Sequence, residues 1–178
     1  MYPKILNKFT TNLKNALKKA EDFCATLNHQ TVNPEHLLYG LMLQKGSIAA
    51  EILGKLNLTP EKIRSAAIQR NSIAINQKGI RPKLAADTRK AIEKATLVAH
   101  QYKHKYIGTE HLLYSLINLV NKSLIEIWEE NKVNLNTLKD ELNKIMKSTS
   151  RFPDLTQIFE QAKEMEKIRA ELNQILAT

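Results

Sequence analysis

The chain has 178 residues, of which 43% are hydrophobic and 25% are charged, and it carries a formal net charge of +9. This composition is ordinary for a soluble globular protein of one or two domains. It excludes a membrane-spanning helix, because no run approaches the roughly 18 consecutive apolar residues that a span requires. The first residues contain Asn, Lys and Thr where a signal peptide needs an unbroken apolar core, so we expect a cytoplasmic protein that does not bind membranes.

The positive charge is concentrated in residues 1–150. Residues 151–178 hold four basic and five acidic side chains, which leaves a net charge of +10 on the first 150 residues. Such a surface favours anionic partners, namely nucleic acids, acidic proteins or phosphorylated groups. The single cysteine, Cys24, permits no internal disulfide and falls on an apolar helix face, so we interpret it as a small buried hydrophobic residue.

An internal repeat divides the sequence. "NPEHLLYGL" at residues 33–41 returns as "GTEHLLYSL" at residues 108–116, 75 positions later. Residues 9–41 and 84–116 are identical at ten of 33 positions without a gap. A repeat of this length indicates a duplicated structural unit. We therefore place unit one at about residues 9–70 and unit two at about residues 84–148.

The sequence pattern of each unit predicts four helices. The first has apolar residues at helical spacing, at Leu13, Ala16, Leu17, Ala20, Phe23, Cys24 and Leu27 in unit one. A second helix begins at Asn33 and Pro34, a third carries Ile48 to Leu56, and a fourth begins after Thr59. Few glycines and many straight-chain residues also favour helices. The predicted fold is all-α, a pseudo-twofold tandem repeat of two four-helix units, eight helices in total.

Two segments lie outside these units. Residues 71–83, with Gly79 and Pro82, break the periodicity and are interpreted as a linker. We favour solvated side chains for its basic residues Lys78, Arg81 and Lys83, and the alternative is contact with a partner. Residues 151–178 form a C-terminal extension with a predicted helix at 155–176, whose apolar positions nearly follow a 3–4 alternation interrupted by Arg169. We favour packing of this helix on unit two, and the alternative is a homodimer through residues 155–176 as a short coiled coil.

The sequence contains no recognisable catalytic site. The phosphate-binding motif G-x-x-x-x-G-K-[ST] is absent, so this chain is not an ATPase. Four histidines recur at equivalent positions, His29, His36, His104 and His111, but H-E-x-x-H is absent and they predict hydrogen bonds to a loop rather than a metal site. No nucleophile has an orienting base and third group. We expect neither enzyme activity, metal nor cofactor.

These features closely resemble the Clp N-terminal repeat domain, which precedes the ATPase modules of ClpC and ClpA unfoldases. The resemblance covers roughly residues 9–148, and its most specific element is the duplicated "TEHLLYSL" motif. It implies a pair of four-helix bundles without catalytic activity. It also implies binding of protein adaptors, of substrates, or of a Clp ATPase and protease complex. The tail does not resemble the start of an ATPase module, so we favour a free-standing Clp-repeat protein over a fragment of an unfoldase.

The resemblance to the ClpC branch also implies binding of phosphorylated arginine. There a Glu of each motif faces the guanidinium and a Thr at the start of the first helix lies near the phosphate. In this sequence Thr10 and Glu35 match in unit one, 25 residues apart. Unit two keeps Glu110 but has Ala85 in place of the Thr, and Pro34 removes a backbone donor in unit one. Such a pocket would combine a carboxylate for the guanidinium with helix N-termini for the phosphate.

Two other interpretations remain open from the residues alone. Thr10 is a good helix N-cap, and Glu35 and Glu110 stabilise their helix dipoles without any ligand. The alternative function is that of a basic helical nucleic-acid-binding protein, which the charge of residues 1–150 suggests and the scattered positions of the basic residues oppose.

Overall fold

The structure is a computed structural model that describes residues 3–70, 79–149 and 155–176. These ranges contain ten helices and two strands of two residues each. The all-α prediction is therefore confirmed. Within the described ranges no helix is both long and apolar enough to cross a membrane.

The helices follow the predicted repeat. A short helix, α1 (Pro3–Leu6), precedes two sets of four and a final helix. Unit one contains α2 (Thr11–Thr26), α3 (Pro34–Leu43), α4 (Ile48–Gly54) and α5 (Pro60–Arg70). Unit two contains α6 (Ala86–Gln101), α7 (Thr109–Ile117), α8 (Lys122–Glu130) and α9 (Leu135–Thr149). The C-terminal helix is α10 (Leu155–Leu176).

Side-chain caps start several helices where the sequence predicted them. Thr10 Oγ1 accepts a hydrogen bond of 3.1 Å from Leu13 N at the start of α2. Thr59 Oγ1 accepts one of 3.3 Å from Lys62 N at the start of α5. Each cap satisfies one N–H group of a first helical turn, which has no partner within the helix.

Two parallel backbone pairings join the units, and the sequence did not predict them. Strand β1 (Thr31–Val32) of unit one pairs with β2 (Lys83–Leu84). Phe9 forms an isolated parallel bridge with Ile107. The predicted linker at residues 71–83 lies outside the described residues at positions 71–78, and its last residue, Lys83, belongs to β2.

One hydrophobic core extends through both units. It includes buried side chains from every helix of both units, such as Leu38 of α3 and Leu113 of α7, each with no exposed surface. Because α3 contacts α6, α7 and α8, the units share this core instead of packing as separate bundles. The shared core fixes the relative position of the helix N-termini described below.

The crossing of the first two helices is held differently in the two units. A Cβ placed on Gly40 of α3 would lie 2.2 Å from Ala16 O and 2.9 Å from Ala20 N of α2. Only glycine fits this crossing without moving backbone. In unit two the equivalent residue is Ser115, whose Oγ donates a hydrogen bond of 2.6 Å to Ala91 O.

The C-terminal helix α10 has the predicted bounds but not the favoured packing. Met165, Ile168 and Leu172 are 64%, 44% and 52% exposed. The favoured packing on unit two is therefore wrong for Met165 and Leu172, two of the apolar positions on which that prediction rested. The alternative, a homodimer through residues 155–176, stays a prediction.

Candidate functional site

The duplicated Glu-His pairs stand at the N-termini of α3 and α7, where the histidine caps the helix. Asn33 N donates a hydrogen bond of 2.8 Å to His36 Nδ1. Gly108 N donates one of 2.8 Å to His111 Nδ1. In both cases an imidazole three residues into the helix accepts from the N-cap backbone, as Glu or Gln does in a capping box. The predicted hydrogen bonds between the imidazoles and the preceding loop are confirmed.

The second ring nitrogen of each capping histidine meets another histidine. His36 Nε2 lies 2.9 Å from His29 Nδ1, and His111 Nε2 lies 2.7 Å from His104 Nδ1. Because Nδ1 of each capping ring already accepts a backbone hydrogen bond, its neutral form carries the hydrogen on Nε2 and donates to the partner. In unit two His104 Nε2 then donates to Met146 O at 3.0 Å. This network ties the end of α9 to the start of α7.

Burial keeps both capping imidazoles neutral. Burial, with a smaller contribution from the neighbouring His29, lowers the pKa of His36 from 6.5 to about 4. It lowers the pKa of His111 from 6.5 to about 3, with a smaller contribution from His104. A protonated capping ring would lose its acceptor nitrogen and the backbone hydrogen bond with it.

The histidines do not converge on a metal position. His104, Glu110 and His111 have donor atoms within 4.8 Å of one another. However, both ring nitrogens of His111 are used, one by Gly108 N and the other by His104. Glu110 Oε1 lies 3.5 Å from His111 Nδ1, which is not the nitrogen that faces His104. His104 and His111 therefore form a hydrogen-bonded pair, and neither ring nitrogen of His111 is open to a cation.

The two motif glutamates have different surroundings. The Glu110 carboxylate folds back over Gly108, where a placed Cβ would lie 2.4 Å from Oε2 and 2.5 Å from Oε1. Its side chain remains 13% exposed. The residue equivalent to Gly108 in unit one is Asn33, which has a Cβ, and Glu35 is only 2% exposed. Because Gly108 has no Cβ, the Glu110 carboxylate can lie over it. The Cβ of Asn33 occupies the equivalent space beside Glu35.

The backbone pairings bring the predicted site residues together across the units. Thr10 N donates a hydrogen bond of 3.0 Å to Ile107 O, and Ile107 N donates one of 2.8 Å to Lys8 O. These bonds place Thr10 beside the segment that leads into Glu110. In the same way Ala85 N donates one of 3.1 Å to Val32 O, which places Ala85 beside the segment that leads into Glu35.

This arrangement corrects the pairing made from sequence spacing. The sequence interpretation paired Thr10 with Glu35 and Ala85 with Glu110, because each pair lies within one unit. In the structure the start of α2 adjoins the start of α7, and the start of α6 adjoins the start of α3. The end that has a threonine is therefore also the end that has Gly108 and Glu110.

Further buried polar contacts hold these ends in place. Thr109 Oγ1 accepts a hydrogen bond of 3.3 Å from Ala49 N, which connects α7 to the start of α4 in the other unit. Thr88 Oγ1 donates one of 2.6 Å to Val32 O. Local sequence patterns do not predict these two bonds, because each joins residues of different units.

Cys24 is a buried residue, as predicted. The residue has no exposed surface, and its Sγ lies 3.2 Å from Thr31 O. Burial, with smaller contributions from the nearby Glu35 and Glu21, raises the pKa of the Cys24 thiol to about 12. A thiol with so high a pKa is neither a nucleophile nor a metal ligand at neutral pH.

An open groove lies beside the β1–β2 pair, with a volume of about 960 Å³. One wall comes from α2 and the other from β2 and the start of α6. Residues of both signs line it, with basic side chains in excess.

Comparison with known proteins places this architecture in one family. The family model of the Clp repeat (R) N-terminal domain matches residues 8–80 and 83–171. The ATP-binding subunit ClpC of the ATP-dependent Clp protease of Staphylococcus epidermidis is 30% identical over 113 residues, and that of Staphylococcus aureus strain USA300 is 29% identical over 116 residues. These matches cover 64% of this chain and 14% of either ClpC subunit.

Solved structures share the fold at low sequence identity. The N-terminal domain of the chaperone ClpD from Arabidopsis thaliana aligns with a TM-score of 0.67 and 20% identity, over 80% of this chain and 100% of that one. A ClpV N-domain in complex with a VipB peptide aligns with a TM-score of 0.61 and 19% identity, over 82% of this chain and 91% of that one. Since the family model matches both repeats, the chain belongs to the Clp repeat N-terminal domain family.

Proposed function

We propose that this chain is a non-catalytic protein-recognition module of the Clp protease system, which binds adaptor or substrate proteins. Family membership supports this function, as does the ClpV N-domain that was solved with a VipB peptide. The observation that carries it is the junction between the units, where the first turns of α2 and α7 adjoin with Thr10 and Glu110. The polar groups at this junction can form hydrogen bonds and ion pairs with a peptide.

The finer proposal is that this junction binds phosphorylated arginine. The first turn of a helix has N–H groups without helical partners and a positive potential, which suit a phosphate. At α2 these include the N–H groups of Thr11 and Asn12, since Leu13 N is already bonded to Thr10 Oγ1. The Glu110 carboxylate supplies the negative charge that a guanidinium needs. Glu35 is a weaker candidate, because it is buried and because the segment that leads into it lies beside Ala85, which has no hydroxyl.

A competition assay tests recruitment without assuming the ligand. A Clp protease with ClpC as its ATP-binding subunit degrades an adaptor-delivered substrate, and this chain is added in excess. We expect degradation to slow, since the free chain occupies adaptor or substrate. Unchanged degradation with every adaptor tried would contradict the recruitment function.

Calorimetry tests the finer proposal. Titration with free phosphoarginine should give binding that Glu110→Gln weakens about tenfold or more, because a charge-assisted hydrogen bond is worth about 1.5–3 kcal/mol. Glu35→Gln is the matched control and should leave the affinity within about twofold. Phosphoserine, which lacks the guanidinium, should not bind. Equal losses in both variants would refute the assignment to the Thr10–Glu110 end.

A further inference from the structure

The groove beside the β1–β2 pair combines an apolar floor with a basic rim. The floor is formed by Leu17 of α2, Val32 of β1, Leu37 of α3 and Leu84 of β2. Val32 and Leu37 are buried, whereas Leu17 and Leu84 are partly exposed. Apolar surface that remains partly in water is available to a ligand that removes it from water.

The rim carries five basic and two acidic residues, a net excess of three positive charges. Lys14 and Lys18 lie one turn apart on α2, and Arg89 is on α6 across the groove. One of the two acidic residues is already paired, since Glu21 accepts hydrogen bonds from Nε and Nη2 of Arg81. The rim is therefore complementary to a ligand that carries several negative charges.

We propose that this groove binds an acidic amphipathic peptide segment of a partner protein. Apolar side chains of the segment would cover the floor, and its carboxylates would lie near Lys14, Lys18 and Arg89. The volume of about 960 Å³ suits a few peptide side chains. Among the described residues that line the groove none is aromatic, so it lacks the stacking platforms with which proteins bind single-stranded nucleic acid.

This inference rests on the proposed recognition function and adds a second surface to it. The groove lining includes neither Thr10 nor Glu110. A partner protein can therefore occupy the groove while the junction between the units remains open. Two weak contacts by one partner would act together, because the second contact is made at a high effective concentration.

Fluorescence anisotropy with a defined peptide tests the inference. The probe is a labelled helical peptide with Leu on one face and Glu on the others, and the matched peptide has Gln in place of every Glu. We expect the Glu peptide to bind the full chain about tenfold more tightly or better. Its affinity should fall when NaCl is raised from about 0.05 M to about 0.5 M.

Charge reversal locates the site. Lys18→Glu and Arg89→Glu, one from each wall, should each weaken the Glu peptide about threefold to tenfold and leave the Gln peptide within about twofold. Lys90→Glu is the matched control, since it makes the same charge change on α6 at a residue that does not line the groove. Equal unfolding midpoints in urea establish that the variants are folded.

Three results would overturn the inference. They are equal binding of the Glu and Gln peptides, an equal loss in Lys90→Glu, and full displacement of the peptide by an equimolar single-stranded DNA oligonucleotide, which would assign the groove to nucleic acid. Glu110→Gln must leave peptide binding unchanged. If the Glu peptide does not bind but the chain slows degradation in the competition assay, only the groove proposal is rejected. If the chain does not slow degradation, the recognition function itself is rejected.

Discussion

The buried histidines predict a loss of stability in weak acid. The pKa values of His36 and His111 are about 4 and about 3 in the folded chain, against 6.5 for an unperturbed imidazole. Below pH 6.5 the unfolded chain binds a proton at each histidine while the folded chain does not. Their contribution to stability is therefore complete above pH 6.5 and is lost as the pH falls towards the folded values.

The size of the effect follows from these pKa values. Each histidine reduces the free energy of unfolding by about 1.4 kcal/mol per pH unit below 6.5. At pH 5 the loss is about 2 kcal/mol for each residue and about 4 kcal/mol for both. Small domains have a total stability of about 5–15 kcal/mol, so this loss is large enough to measure. Ordinary carboxylates remain mostly ionised at pH 5 and contribute little in this interval.

Urea denaturation at pH 7.5 and at pH 5 measures the effect. The unmodified chain should lose at least about 4 kcal/mol over this interval, since burial also lowers the pKa of His29. His111→Gln should lose about 2 kcal/mol less than the unmodified chain, because one buried imidazole is gone. Gln at this position retains a side-chain acceptor for Gly108 N. His100→Gln, at an exposed residue of α6, is the control and should behave as the unmodified chain. Equal stability at both pH values would refute the assignment of neutral buried imidazoles.

Two glycines give further predictions. Gly108→Ala should weaken phosphoarginine binding about tenfold, because the new Cβ displaces the Glu110 carboxylate. The same variant should change the unfolding free energy by less than about 1 kcal/mol. The control is Gly54→Ala, where a Cβ meets no atom within 4 Å, and it should not alter binding. If calorimetry finds the same affinity in Gly108→Ala, the assignment of Glu110 to the binding site is wrong. Gly40→Ala should destabilise the chain by about 3 kcal/mol, since its Cβ would lie 2.2 Å from Ala16 O. A loss below about 1 kcal/mol in urea denaturation would contradict so close a crossing of α2 and α3.

Local signals in the sequence were sufficient for the helices of the two units and for α10, but they did not predict the four-residue helix α1. Helical spacing of apolar residues and the pair Thr59 and Pro60 predicted α5, which begins at Pro60. The bounds of α10 agree with those predicted from its apolar positions. Such signals depend on neighbours within one or two turns, which a sequence displays directly. The packing of α10 depends on distant residues, and there the sequence prediction was wrong.

The cross-unit pairing could not be obtained from the same signals. Strands β1 and β2 have two residues each, too few to show the alternation that identifies a strand. The bond between Thr10 and Ile107 joins residues 97 positions apart. Spacing within a repeat suggested instead that Thr10 belongs with Glu35. In a duplicated fold the start of the first helix can lie beside the second helix of its own unit or of the other unit. Which of these two pairings forms depends on the packing of the shared core.

The correction changes what the duplication implies for binding. If each unit held its own pocket, unit one would combine a threonine with a buried glutamate, and unit two would combine an alanine with a partly buried one. Pairing across the units instead places Thr10, Gly108 and Glu110 at one end, and Ala85, Asn33 and Glu35 at the other. One end keeps every feature that the phosphoarginine proposal requires, and the other lacks both the hydroxyl and the glycine. We therefore expect one phosphoarginine per chain, because divergence after duplication has affected a single end.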